Sequence, residues 1–192
     1  LLIGVRGIGA FFGFGLMALA SRLDPRVSLT IAFSLQGLSG LYMASFNIDM
    51  TFSQVAWAGI IQGIGVGMAW VPISVLTFST LDKRYFGEGT AMYHLIRNVA
   101  SSFFISITVA VVLHTGQISF GNLSSLVTDW NTGLALNFTD QFIENFDKVT
   151  IKNLTAEVNR QSLMIGYINS FMLFAIVSFL TIPFLFLIKE KK

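Results

Sequence analysis

The stretch FGEGTAMYHLIRNVASSFFISITVAVVL, Phe86 to Leu113, decides the reading of this chain. It is apolar and long enough to cross a hydrocarbon core, which takes about 20 helical residues, yet it carries a guanidinium, Arg97, near its middle. A charge at such depth costs several kcal/mol and persists where it faces a partner, a cavity or a permeation path. At about 100° per residue, Thr90, His94, Arg97, Asn98, Ser101 and Thr108 fall on one arc, and Met92, Leu95, Ile96, Val99, Ala100 and Phe103 fall elsewhere. The helix therefore has one wet or partnered face and one greasy face.

The rest of the chain has the same character. Of its residues 54% are hydrophobic and 11% charged, and its mean hydropathy is +0.71, whereas soluble domains carry about 25% charged residues. Five apolar runs can be read as α-helical spans, at about residues 1–20, 27–46, 54–80, 86–113 and 163–188. Backbone polar groups must be satisfied internally in lipid, and these runs are too long and too uniformly apolar for barrel strands. The fold class is thus an all-α membrane protein with five transmembrane helices, embedded in a lipid bilayer. The chain opens on Leu1 without an initiator methionine or a signal peptide, and reads as a piece of a longer polytopic protein.

Lysines and arginines in the connections set the orientation. Arg22 and Arg26, Lys83 and Arg84, and the tail residues Lys189, Lys191 and Lys192 share one side, which is expected to be cytoplasmic. The other side carries the basic-free turn 47–53 and the long segment 114–162, where acidic residues outnumber basic ones. That segment is expected to be extracytoplasmic, as a partly disordered loop or a small amphipathic helix on the membrane surface. The net charge of +2 reports topology and not nucleic-acid binding. No cysteine is present, and two histidines without clustered carboxylates make no metal site, so no cofactor is expected.

Other positions carry secondary signals. Gly9/Gly13 and Gly59/Gly63/Gly67 recur every four residues and let helices approach closely, either as static packing or as a sliding seam. Pro72 removes a backbone hydrogen bond inside the third span and is expected to kink it near 67–71. Gln62, Trp70 and Ser74 are placed to line a cavity beside it. Arg97 lies about eleven residues, or roughly 16 Å, from the inner end of its helix, a depth from which snorkelling is difficult. His94 is open to two readings, hydrogen-bonded packing or proton transfer. Arg6 lies in the first span, and Glu88 is placed to meet the N-terminal dipole of the fourth or to pair with Lys83 or Arg84. No nucleophile triad, phosphate loop or paired-carboxylate site is legible, so an enzyme is disfavoured.

A resemblance joins these signals. ALASRLDPRVSL (Ala18 to Leu29) looks like the short basic loop of the major facilitator superfamily. QGIGVGMAWVPISVLTFSTL (Gln62 to Leu81) and GTAMYHLIRNVASS (Gly89 to Ser102) resemble late helices of its fourteen-helix drug:proton antiporters of the EmrB type. The resemblance implies a partial C-terminal bundle, helices ten to fourteen, in a multi-pass inner-membrane efflux transporter with a cytoplasmic C-terminus. It implies alternating access, with protons exchanged for an amphipathic small molecule against the N-terminal half of the same transporter. A periplasmic adaptor protein is among the partners it implies. Arg22, Asp24 and Arg26 would brace the cytoplasmic gate, and Arg97 and Asn98 would lie on the cavity-facing or inter-helix polar surface. Two features depart from the family pattern: Pro25, with no glycine before the second arginine, and the pair Phe103 and Phe104 where relatives carry small residues. The competing reading is a non-transporting five-span scaffold or assembly subunit.

Overall fold

The computed structural model describes residues 2–19, 24–126 and 148–187, and every regular element among them is helical. The order is α1 (Leu2–Leu19), α2 (Pro25–Ala44), α3 (Phe52–Phe78), a 3₁₀ turn (Lys83–Tyr85), α4 (Phe86–Leu126) and α5 (Lys148–Leu187). Four of these helices are long and apolar enough to cross a membrane, and α1 contributes a shorter apolar helix, Gly4–Ala18. The protein is a membrane-type helical bundle, as its hydropathy dictates. Arg22, the middle of the long segment (127–147) and the tail lie outside the described residues.

Local signals account for the helix boundaries. Pro25 opens α2 at a position where its missing N–H is not needed, and Asp24 caps the helix by backbone geometry, with no side-chain hydrogen bond. Thr51 precedes α3, and the Gln54 Oε1 reaches back to accept from its backbone N–H at 2.9 Å. The Asp82 carboxylate accepts from the Arg84 N–H at 3.2 Å, which tightens the turn into α4.

The chain divides into two compact units, Leu1–Ser106 with Phe171–Lys192, and Ile107–Ser170. In the first, α3 has a neighbour on each side. Gly63 and Gly67 face α1, where an added Cβ would fall on the carbonyl oxygens of Arg6 and Ala10. Reciprocally, a Cβ on Gly9 or Gly13 would fall on the carbonyls of Ile60 and Ile64, and one on Gly13 would also lie 3.0 Å from the Gly67 Cα. This seam is backbone against backbone. Two residues along, at about 200° around the helix, Gly65 faces α2, with the Ala32 carbonyl and the Gln36 Cγ each 2.9 Å from where its Cβ would be.

Between α2 and α3 lies a core of Leu29, Ala32, Met68 and Ala69, joined by Leu185 of α5. The buried Ser39 Oγ donates to the Ala58 carbonyl at 2.9 Å, a polar tie between the two helices worth about 1 kcal/mol in such settings. The far side of α2 meets α5, where Gly37 admits the Phe179 ring and Gly40 admits Ala175.

In the second unit, Gly166 of α5 packs on the Val112 carbonyl of α4, and Gly116 lies against Ser162 and Leu163. Ser162, Gly166 and Ser170 are all buried and recur every four residues, a second stripe of small residues that the sequence reading did not single out. The same packing explains a difference in extent. The segment 114–162 was expected to lie outside the spans, yet α4 runs on through 114–126 and α5 begins at Lys148. Hydropathy falls after Leu113, but no proline interrupts the helix and α5 covers Gly116, so helical packing continues where apolarity does not.

The glycine geometry yields a paired prediction. At Gly63 a methyl meets backbone, whereas at Gly59 the nearest outside atom to an added Cβ is the Arg6 Cβ at 4.0 Å. Gly63→Ala is expected to destabilise the purified protein by about 1–3 kcal/mol through overpacking, and Gly59→Ala to leave it unchanged or stabilise it by up to about 1 kcal/mol through helix propensity. Thermal unfolding of the two variants in detergent, side by side, measures the difference.

Candidate functional site

Three helices of the first unit line an open cavity of about 220 Å³, with Trp70 and Arg97 both exposed at it. Helical spacing builds its walls. Val66, Ala69, Trp70 and Ile73 form an i, i+3, i+4, i+7 stripe of α3, Phe33 and Gln36 lie one turn apart on α2, and Tyr93 and Arg97 lie one turn apart on α4. The walls are mostly apolar, with the Gln36 amide and the Arg97 guanidinium among the few polar groups. An apolar chamber with a small number of placed polar groups is the usual form of a small-molecule site.

The Arg97 guanidinium sits over the Trp70 ring, its Cζ 4.2 Å from the centroid. A cation on an indole face gains about 0.5–1 kcal/mol when exposed and ~2 or more when desolvated. Among the described residues the only ion pair is Glu157 with Arg160 at 3.4 Å, so Arg97 is held by an aromatic face and not by a carboxylate. Tyr93, on the same wall, packs edge-on against Phe78 of α3 at 5.7 Å and so fixes α4 beside α3 at the turn below Arg97.

The structure places the remaining candidates as follows. His94, Asn98, Thr90 and Ser101 are all exposed on α4. His94 stacks edge-on with Tyr93 at 5.5 Å, and the Thr90 hydroxyl donates to the Phe86 carbonyl at 2.7 Å. The apolar positions Met92, Leu95, Ile96, Val99 and Phe103 are equally uncovered, so neither face of this part of α4 is buried within the chain. Gln62 is half-buried on α3, two turns from Trp70, and does not line the cavity. Ser74 donates back to the Trp70 carbonyl at 3.0 Å and does not line it either. Pro72 is fully buried within a helix that continues to Phe78.

At the loop before α2, Asp24 is exposed, and Arg26 is half-buried with its Nε buried and without a hydrogen-bond partner. No ion pair joins the two among the described residues. Glu88 lies in the first turn of α4, and no ion pair links it to Lys83 or Arg84. No cluster of three metal-ligating side chains occurs among the described residues. The sequence reading missed Phe33, Gln36 and Tyr93 as cavity residues. Gln36 had a signal, as a lone amide within an apolar span, but Phe33 and Tyr93 had none that separates lining from packing.

Comparison with curated proteins gives the relatives. Multidrug export protein EmrB of Haemophilus influenzae is 24% identical over 149 residues, covering 76% of this chain and 29% of the relative. The chain is similar to the EmrB-type export proteins. Fatty acid resistance protein FarB of Neisseria gonorrhoeae is 21% identical over 172 residues (88% of this chain, 34% of FarB), and colistin resistance protein EmrB of Acinetobacter baumannii is 24% identical over 187 residues (92% and 36%). The chain spans about a third of the length of the curated relatives it matches. No family model matches, and no solved structure matches. The relatives' names describe export and resistance.

Because the chain lacks cysteine, single cysteines can map which arc of α4 meets water. Cysteines at His94, Asn98 and Ser101 are expected to react with a membrane-impermeant maleimide in intact membranes. Cysteines at Leu95, Ile96 and Val99 are expected to react at least about tenfold more slowly, as side chains facing lipid or another helix. Equal rates around the helix would overturn the polar-arc assignment.

Proposed function

We propose that the chain is the C-terminal part of a proton-coupled efflux transporter for amphipathic small molecules, working by alternating access in a bacterial inner membrane. The observation that carries this reading is the charged cavity. An exposed arginine on an apolar helix borders an open chamber lined by three helices, and its partner in the chain is a neutral aromatic face. A scaffold has no use for a chamber of this kind, and a packing arginine would be expected to meet a carboxylate or backbone carbonyls.

The exposure of α4 agrees with it. A helix uncovered on its polar and apolar arcs alike leaves room for further helices and for a water-filled path. In an alternating-access transporter the N-terminal half would cover that surface and supply the acidic proton carrier, since the spans read here contain no mid-membrane Asp or Glu. Asp24, Arg22 and Arg26 would act at the cytoplasmic gate, with the buried, unpartnered Arg26 Nε available for a bond made in another state. The relatives' names span multidrug, fatty acid and colistin resistance, which supports a cavity that takes amphiphiles without close shape selection. A periplasmic adaptor on the outer side is part of the same proposal, as is the absence of enzymatic activity.

The test is Arg97→Ala in the full gene product, expressed in a bacterium stripped of its own exporters. Drug resistance is expected to fall at least about tenfold with membrane abundance unchanged, since one mid-membrane charge contact is worth ~1.4 kcal/mol or more. Resistance at the unsubstituted level would leave Arg97 structural, and a complete absence of resistance from the unsubstituted protein would favour the scaffold reading.

A further inference from the structure

The geometry points to Trp70 as a positioning residue: its indole face carries the Arg97 guanidinium so that the cation's hydrogen-bond donors stay available to an acceptor oxygen of a ligand in the cavity. This inference rests on the reading of the cavity as a transport site.

Three observations support it. The guanidinium lies 4.2 Å from the Trp70 centroid, a contact made with π electrons, which uses none of the acceptor capacity that a carboxylate would bring. Among the described residues the Arg97 side chain makes neither an ion pair nor a hydrogen bond, so its five N–H donors are left over. Both groups border the chamber, Trp70 through α3 and Arg97 through α4, with the Gln36 amide opposite on α2.

An arginine tied to Asp or Glu would have to lose that partner before it could take a ligand, and an arginine with no tie would swing toward the headgroups. The aromatic face avoids both outcomes. It holds the planar guanidinium at the chamber wall and leaves its donors unused. A lysine could not substitute, because a strongly hydrated ammonium on a flexible stem neither stacks nor presents a fork. The pair should therefore sort amphiphiles by head group. A carboxylate gains the donors, whereas a quaternary ammonium of the same chain length meets a fixed like charge and has no proton to donate elsewhere.

The test uses the full gene product in an exporter-deficient bacterium, with decanoate and decyltrimethylammonium as matched probes and immunoblots to equalise membrane abundance. Wild type is expected to protect against decanoate more than against decyltrimethylammonium by about tenfold. Trp70→Phe keeps an aromatic face and should retain most of that preference. Trp70→Leu, which fills space without a π face, and Arg97→Lys should each bring the preference to within about twofold, chiefly through lost protection against decanoate. If Trp70→Leu lowers protection against both probes in equal proportion, Trp70 is only packing and the inference falls. If Arg97→Lys keeps the full preference, stacking is not what positions the charge and the inference falls again. If wild type protects against neither probe, the transport reading of the cavity fails and takes this inference with it.

Discussion

The structure depends on how closely three helices can approach without water to push them together. In lipid the hydrophobic effect does not favour one apolar helix surface over another, so association has to come from van der Waals contact and backbone proximity. α3 meets this demand on two sides at once. Gly63 and Gly67 let its backbone touch α1, and Gly65 with Ala69 lets it touch α2. The offset of two residues, close to half a helical turn, turns one helix into the central post of the first unit. The Ser39 to Ala58 hydrogen bond then pins α2 to that post at one height.

Small residues make the closest points of the two seams, and part of the arc between them carries larger side chains. Val66, Trp70 and Ile73 occupy that arc and, with α2 and α4, line the chamber. The position of the Arg97 charge follows from this layout. A guanidinium at this depth needs an electrostatic partner, and Trp70 offers one that is neutral and apolar enough to belong in a span. The cavity is therefore a by-product of how the seams are placed, and its charge is a by-product of which residue fills the arc.

Much of this was legible in the residues, for identifiable reasons. Glycines four apart favour a close helix contact because small residues let backbones approach, although the sequence does not say which helix answers or that Gly59 stays open; Gly9 and Gly13 meeting Gly63 and Gly67 is a fact of the fold. Arg97 was legible because a charge in a span is rare. Phe33 and Tyr93 were not, since an aromatic side chain in an apolar run reads the same whether it lines a cavity or packs a seam. The Ser162, Gly166 and Ser170 stripe has the same period as the glycines, but serine is common enough in a polar segment to conceal it. α4 and α5 run past the apolar runs because hydropathy measures where lipid ends, whereas a helix ends where its packing or its hydrogen bonds do.

The backbone seam between α1 and α3 has a consequence for how such a protein can diversify. Its geometry is fixed by the absence of side chains, so nothing on the cavity arc of α3 takes part in holding it. Replacements at Val66, Trp70 or Ile73 can reshape the chamber without disturbing the joint that supports it, whereas replacements at Gly63 or Gly67 strain that joint whatever the chamber contains. The chamber wall can thus change along one side of a single helix while the opposite side is held to small residues.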